Sequence, residues 1–334
     1  MPSTTTAAPD AAAPAPAPQH DPWSTRLKDV GFWAEWAALV GLIVLVIVFQ
    51  SANPTFLSAG NVQSMLVAAA ILIILSIGQT FVVTTAGIDL SIASTLTLGA
   101  VAFGQVYSRT DGTLLLSCLA AVVAGGIVGI VNGLLVAKGK ITDFIVTLGT
   151  LSAASGAALI LADGKPVTVI NTTLLKLSTG GLGIFGWTFL IAVAFAIVAH
   201  VVLFHTRFGT HVLATGGSPE AASATGISTA RVKTAVYIIS GLLAGFAAIL
   251  LVARIGAAEP AANTAFLLNS VAAVVLGGVS LFGGRGTIVG PVIGALLLTA
   301  LVNGLTLLGV SQFYQPLSVG VVVVLAALLT RFQR

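Results

Sequence analysis

The chain has 334 residues, 57% of them apolar and only 7% charged, with a mean hydropathy of +1.08. Soluble domains carry about 25% charged residues, so this composition excludes a protein whose whole surface faces water. The net charge of +4 comes from scattered bases with no Lys/Arg run, which excludes a phosphate-tracking nucleic-acid surface.

Residues 1–31 open with an Ala/Pro tract from Ala7 to Pro18. Such a segment has too few apolar groups to offset ordering entropy, so it is predicted to be a disordered cytoplasmic tail. The first apolar run is long enough to serve as an uncleaved anchor, and no cleavable signal peptide is expected ahead of it. Apolar stretches of spanning length then recur at about 33–50, 63–86, 90–107, 114–136, 143–162, 185–204, 234–254, 267–283, 288–309 and 316–331. They predict an all-α, polytopic membrane protein of about ten transmembrane helices, with residues 32–334 as one transmembrane domain. Span 90–107 starts beside Asp89 and carries several hydroxyls. Span 267–283 is short and ends at Gly283-Gly284. Either is a candidate for a broken or re-entrant segment shielded by its neighbours.

The bases test this count. With the N-terminus in the cytoplasm, Arg26, Lys28, Lys138, Lys140, Arg207, Arg231, Lys233, Arg285, Arg331 and Arg334 fall inside. Arg109, Lys165, Lys176 and Arg254 fall outside, so the split of the 14 bases is ten to four. That asymmetry follows the positive-inside rule and puts both termini in the cytoplasm. The longest inner loop is then about 205–233 and the longest outer one about 163–184.

Small residues recur at helix-packing spacing: Gly125-Gly129-Gly133, Gly286-Gly290-Gly294, Gly149-Ala153-Gly156 and Gly241-Gly245-Ala248. These faces let helices approach closely, and packing within one subunit is the plainer use for each. Polar residues inside spans are amides and hydroxyls, among them Gln79, Asn132, Thr147, Thr150, Asn269 and Asn303. They suit a route for an uncharged polar solute, and interhelical hydrogen bonding accounts for most of them equally well. Acids sit at span ends (Asp89, Asp143, Asp163) or at the start of the first span (Glu35). The absence of a central carboxylate argues against a proton-driven carrier. His200 near a span end reads as interfacial packing.

Enzyme signatures fare poorly. No GxxxxGK[ST] or HExxH occurs, and no paired-carboxylate cluster. The run Gly181-Leu182-Gly183-Ile184-Phe185-Gly186 fits GxGxxG but follows no strand and opens no βαβ unit, so it is taken as chance. Cys118 is alone, so neither a disulfide within the chain nor a thiolate metal site can be built from it.

The inner loop holds a short helix signal. Ser218 is a cap, Pro219 occupies the first position, Glu220 lies in the first turn and Gly226 closes it. The run Glu220-Ala221-Ala222-x-x-x-Gly226 resembles the Glu-Ala-Ala loop of permease subunits of ATP-binding-cassette importers. Gly78-Gln79-Thr80, Gly87-Ile88-Asp89-Leu90-Ser91, Thr147-Leu148-Gly149-Thr150, Ser240-Gly241-Leu242-Leu243-Ala244-Gly245, Ala273-Val274-Val275-Leu276-Gly277-Gly278 and Gly283-Gly284-Arg285-Gly286-Thr287 are similar to the ribose/xylose/arabinose branch of that family. The resemblance runs from about residue 35 to the C-terminus. One departure is Phe266-Leu267-Leu268-Asn269-Ser270, where family members often carry acids.

The resemblance implies a monosaccharide permease of a bacterial cytoplasmic membrane. Its implied partners are an ATPase subunit that binds ATP and Mg, an extracytoplasmic sugar-binding protein, and a second permease copy or a paralogue. Glu220, Ala221, Ala222 and Gly226 would form the coupling helix seated in the ATPase. Gln79, Asp89, Asn132, Thr147, Thr150, Asn269 and Asn303 would be pathway candidates, with capping of the adjacent span as the alternative role for Asp89. The chain would make or break no bond itself. An ion-coupled secondary carrier is the rival reading, an intramembrane enzyme a distant one. Within the importer class, a branched-chain amino-acid or autoinducer permease also fits.

Overall fold

A computed structural model describes residues 30–261 and 264–330; the Ala/Pro tract lies outside the described residues. The long helices are α1 (Val30–Ala52), α2 (Ala59–Thr84), α3 (Ile92–Arg109), α4 (Leu114–Ala137), α5 (Asp143–Leu161), α7 (Trp187–His205), α10 (Thr229–Ile255), α11 (Thr264–Leu276), α12 (Val289–Leu307) and α13 (Gln315–Thr330). Shorter ones are α6 (Thr172–Thr179), α8 (Arg207–Gly217) and α9 (Pro219–Ala224). Two antiparallel pairs of two-residue strands complete the chain: β1 (Val167–Thr168) with β4 (Ala257–Ala258), and β2 (Gly181–Leu182) with β3 (Phe185–Gly186). The run that fits GxGxxG is therefore the β2–β3 hairpin. Six helices among the described residues, α2, α4, α5, α7, α10 and α12, are long and apolar enough to cross a membrane. The chain is an all-α membrane protein.

The connections gather at two ends of the bundle. At one, here the turn end, Gly284 N donates to Thr84 O (3.0 Å) and Ile88 N to Asp143 Oδ2 (2.7 Å). At the other, the strand end, β1 pairs with β4, Tyr107 OH donates to Ile170 O (2.8 Å) and Gln63 Nε2 to Thr179 O (3.1 Å). Successive long helices thus run in alternating directions.

Burial separates helices that hydropathy treats alike. The apolar window of α2 is 89% buried, that of α5 only 22%. Around α2 pack α7, α10, α11 and α12. The tightest pair is α4 on α10. A Cβ at Gly125 would strike Gly241 O, and one at Gly133 would lie 2.8 Å from Thr234 O. Backbones touch there only because both helices present glycine, as the spacing predicted. Gly290 and Gly294 do the same for α12 against Gly277 and Ala273. By contrast, a Cβ at Gly149 or Gly156 of α5 would meet nothing.

The two spans marked as irregular differ. α3 is continuous over 18 residues. α11 has 13 residues, about 20 Å at 1.5 Å per residue, shorter than the roughly 30 Å of a bilayer core. A run of turns from Gly277 to Thr287 carries the chain on to α12.

Candidate functional site

The turn between α2 and α3 gathers buried polar side chains, among them Gln79, Thr84, Thr85, Asp89 and Ser91. α2 ends where Gly87 N bonds to Val82 O (3.1 Å) and Ala86 N to Val83 O (2.9 Å). This paired helix stop calls for a left-handed residue. Ala86 fills it at φ 58°, which costs a non-glycine residue about 1 kcal/mol. Neighbours hold it there: Gly283 packs against Ala86, and Gly284 N takes the Thr84 carbonyl.

Beyond it, side chains from four helices, α2, α4, α5 and α10, converge on Ile88, Asp89 and Ser91. The Gln79 carboxamide lies along the Asp89 backbone, its nitrogen 3.2 Å from Asp89 O and its oxygen 3.3 Å from Asp89 N. Asp89 is 2% exposed. Its Oδ1 accepts from Ser91 N (3.0 Å) and Ser91 Oγ (2.6 Å), and its Oδ2 from Ser240 Oγ (2.8 Å). Asn132 Nδ2 donates to Ser91 Oγ (2.8 Å), and Thr150 Oγ1 to Asn132 Oδ1 (2.7 Å). Thr147 Oγ1 donates to Asp143 O (2.8 Å) and reaches Ile88 O at 3.3 Å. Tyr237 OH reaches Ile88 O at 3.4 Å.

Five of the seven pathway candidates, Gln79, Asp89, Asn132, Thr147 and Thr150, therefore meet in one cluster. They are spent largely on one another and on the turn's backbone. The turn needs them because its peptide groups lie outside any helix, and buried peptide groups must find partners. Ser91 rather than Asp89 occupies the N-cap position of α3. The Asp89 carboxylate takes the Ser91 N–H and bridges to α10 instead of capping. Beside the turn opens a cavity of about 250 Å³ whose lining includes Thr85, Gly87, Lys140, Asp143, Lys233 and Tyr237.

Asn303 belongs to the strand end. It exchanges reciprocal amide bonds with Asn61, at 2.9 and 3.0 Å. Asn269 is half-buried on α11 and takes no part in the cluster's bonds. Sequence reasoning missed Ser91, Ser240, Tyr237 and the Asp143 side chain as members of the cluster. Ser91 and Ser240 stand inside the quoted motifs, but only their meeting across 151 positions, at Asp89 and Ser240, shows what the motifs do.

The predicted short helix is present. Ser218 Oγ accepts from Ala221 N (3.2 Å), and Pro219 is the first helical residue. The stop pairs Ile227 N with Ala222 O and Gly226 N with Ser223 O, both at 3.0 Å, with Gly226 at φ 87°. Ala222 is buried, whereas Glu220, Ala221 and Gly226 are exposed. The helix of about two turns inferred from the loop is six residues long. A second helix, α8, was not foreseen. It is capped by Thr206, whose Oγ1 accepts from Gly209 N (3.2 Å). Its end is wedged in the turn end: a Cβ at Gly216 would strike Thr84 O and lie 2.6 Å from Gly284 N. The exposed helix α9 is thus joined, through Gly216, to the turn that the polar cluster holds.

His200 contacts the rings of Phe204 (4.9 Å) and His205 (5.7 Å), as a packing role requires. Among the described residues no group of three or more His, Cys, Asp or Glu is placed to hold a metal.

Comparison with known proteins adds an independent line. Residues 61–329 match the family described as branched-chain amino acid transport system / permease component. The chain is 39% identical to the ribose import permease protein RbsC of Bacillus subtilis, over 92% of this chain and 95% of that one. It is 33% identical to the L-arabinose ABC transporter permease protein AraH of Azospirillum brasilense, covering 88% and 87%. It is 31% identical to the D-allose transport system permease protein AlsC of Escherichia coli, covering 90% and 92%. No solved structure matches the chain significantly.

Proposed function

Because the chain belongs to the family of branched-chain amino acid transport system permease components, we propose that it is the membrane-spanning subunit of a bacterial ATP-binding-cassette importer for a monosaccharide. The relatives above are named for import of ribose, L-arabinose and allose, so the ion-coupled carrier is set aside. The substrate class is a neutral pentose or hexose, delivered by an extracytoplasmic binding protein. ATP and Mg act on a separate ATPase, and the chain is a multi-pass protein of the cytoplasmic membrane.

Ten crossings with both termini in the cytoplasm are part of this reading. The alternation of connections between two ends supports them. So do the charges: Lys138, Lys140, Arg207, Arg231, Lys233 and Arg285 lie on turn-end connections or helix starts, against Arg109, Lys165, Lys176 and Arg254 toward the strand end. The turn end is then cytoplasmic. A second permease, whether a copy or a paralogue, completes the pathway, and the open small-residue face of α5 supports such a partner.

The observation that carries the reading is α9. A capped helix of six residues, its Glu220 and Ala221 exposed, is too short to be stable alone, and it is rooted in the bundle through Gly216. Such a helix can seat in a partner's groove and pull on the α2–α3 turn as that partner closes. Glu220, Ala221, Ala222 and Gly226 perform this coupling. Gln79, Asp89, Asn132, Thr147 and Thr150 keep the turn rigid enough to transmit it. Asn269 and Asn303 remain pathway candidates, although the Asn61 pairing favours a structural part for Asn303. Hydrolysis on the ATPase drives alternating access, and the permease changes no bond.

The test is co-purification from gently solubilised native membranes. A stoichiometric P-loop ATPase should accompany the wild type and be lost from a Glu220→Arg/Ala221→Trp variant, whose changes sit on exposed positions. A wild type that runs without an ATPase under several mild conditions would refute the importer. As a second variant, Gly226→Pro forces φ to about −65° where the cap needs a positive value. Sugar uptake should fall to background while the variant still inserts and purifies; normal uptake would remove the coupling assignment.

A further inference from the structure

At the turn end, the last turn of α4 and the first turns of α10 leave a groove of about 390 Å³ between them. Its lining divides by chemistry. Lys138 and Arg231 supply two cations, Ser228 and Thr234 two hydroxyls, and Leu134 and Ile238 an apolar wall, with no acid among the lining residues. Both cations are exposed. The Thr234 hydroxyl is already turned inward, within 3.2 Å of Gly133 O and 2.9 Å of Ala230 O.

The wall continues away from the charged end. On α4, Ile130 (43% exposed) and Ile127 (56%) follow Leu134, and on α10 Leu242 (38%) follows Ile238. Leu242 leans over Gly126, where a Cβ would come within 3.0 Å of it, so the two rows form one seam. From Lys138 to Ile127 the seam runs about 16 Å along a helix, close to half of a roughly 30 Å hydrocarbon core.

Two unopposed cations at the mouth of an apolar seam one leaflet deep match one chemistry: a phosphate diester carrying acyl chains. Basic recesses between spans on the cytoplasmic side attract anionic headgroups. A free sugar phosphate would leave the seam unused. A zwitterionic lipid would bring its own cation toward Lys138 and Arg231.

We propose that this groove binds an anionic phospholipid of the cytoplasmic leaflet, its phosphate held between Lys138 and Arg231 and one acyl chain laid along the α4–α10 seam. The groove includes Ser228, two residues beyond the Gly226 stop of α9. A bound headgroup therefore braces the root of the exposed helix. The proposal takes from the reading above only that the turn end faces the cytoplasm, and its test involves neither sugar nor ATPase.

The experiment titrates the purified full-length chain in mild detergent with phosphatidylglycerol or phosphatidylcholine and follows the thermal midpoint. Phosphatidylglycerol should stabilise the wild type at lower concentration. In Lys138→Gln/Arg231→Gln its apparent affinity should fall about thirtyfold, as expected for two lost cations near an anionic headgroup. Lys140→Gln/Lys233→Gln removes the same charge from the same end and should retain the preference. The charge-keeping swap Lys138→Arg/Arg231→Lys should retain it too, which separates lost binding from lost folding. Equal stabilisation of the wild type by both lipids would overturn the site. So would a preference that survives in Lys138→Gln/Arg231→Gln, or one that both Gln pairs lose alike, which would make it diffuse surface charge.

Discussion

The two ends of the bundle are built on different principles. At the strand end, connections are tied by short backbone pairings, β1 with β4 and β2 with β3, and by the reciprocal amides of Asn61 and Asn303. Each tie is local, so each can loosen alone. At the turn end, one buried carboxylate, one left-handed alanine and a three-way contact of Gly216, Thr84 and Gly284 share a single small volume. Changes there are expected to propagate, because its hydrogen-bonded groups share partners. The contrast fits the proposed role, in which the turn end answers a docked ATPase as a unit and the strand end parts flexibly.

The largest expected effect breaks the turn end outright. Gly216→Val drives side-chain atoms into the Thr84 carbonyl and the Gly284 backbone, and should cost about 3 kcal/mol or prevent folding. Near-normal yield and thermal midpoint would show that α8 can retreat, and that the three-way contact is not a rigid joint. Next, Asp89→Ala strands Ser91 and Ser240 and should cost about 2–3 kcal/mol. In a thermal-denaturation series its loss should exceed that of any single strand-end amide; a smaller loss would remove the asymmetry between the ends.

Smaller effects sharpen the comparison. Gly226→Ala keeps α9 but loads its stop with a left-handed alanine, and Ala86→Gly unloads the equivalent stop of α2. Each is worth about 1 kcal/mol, with opposite signs. A midpoint that falls for Ala86→Gly would mean that the alanine side chain contributes packing beyond the cost of its backbone. At the strand end, Asn303→Ala should cost about 1 kcal/mol or less. Because Asn61 Nδ2 also donates to Phe56 O (2.8 Å), the double change with Asn61→Ala should cost about as much as Asn61→Ala alone. Fully additive losses would show that Asn303, too, has a partner besides Asn61.

Much of this was legible in the chain itself. The apolar runs fall on the ten long helices, of which six are long and apolar enough to cross a membrane; the run at 267–283 is helical only to Leu276. Gly125-Gly129-Gly133 announced a close helix approach but not its partner, which is α10, and Ser218-Pro219 with Gly226 marked both ends of α9. Helix α8 was not legible: Arg207–Gly217 carries no apolar run of spanning length, and Gly209, Gly216 and Gly217 within it argue against a helix. Its cap Thr206 also closes on Val202 O (2.6 Å), a contact that exists only once α7 is formed.

The sequence by itself determined that the chain is an all-α membrane protein and where the exposed helix α9 starts and stops. Transfer of apolar groups and capping of free peptide groups depend on local composition alone. Tertiary structure decided which helix is central, since lipid and protein neighbours are equally apolar and hydropathy cannot tell α2 from α5. It also decided that Gln79, Asp89, Asn132, Thr147 and Thr150 hold a turn together while Asn303 pairs with Asn61. An amide or hydroxyl in a span must find a partner, but its own neighbours in the chain do not say which.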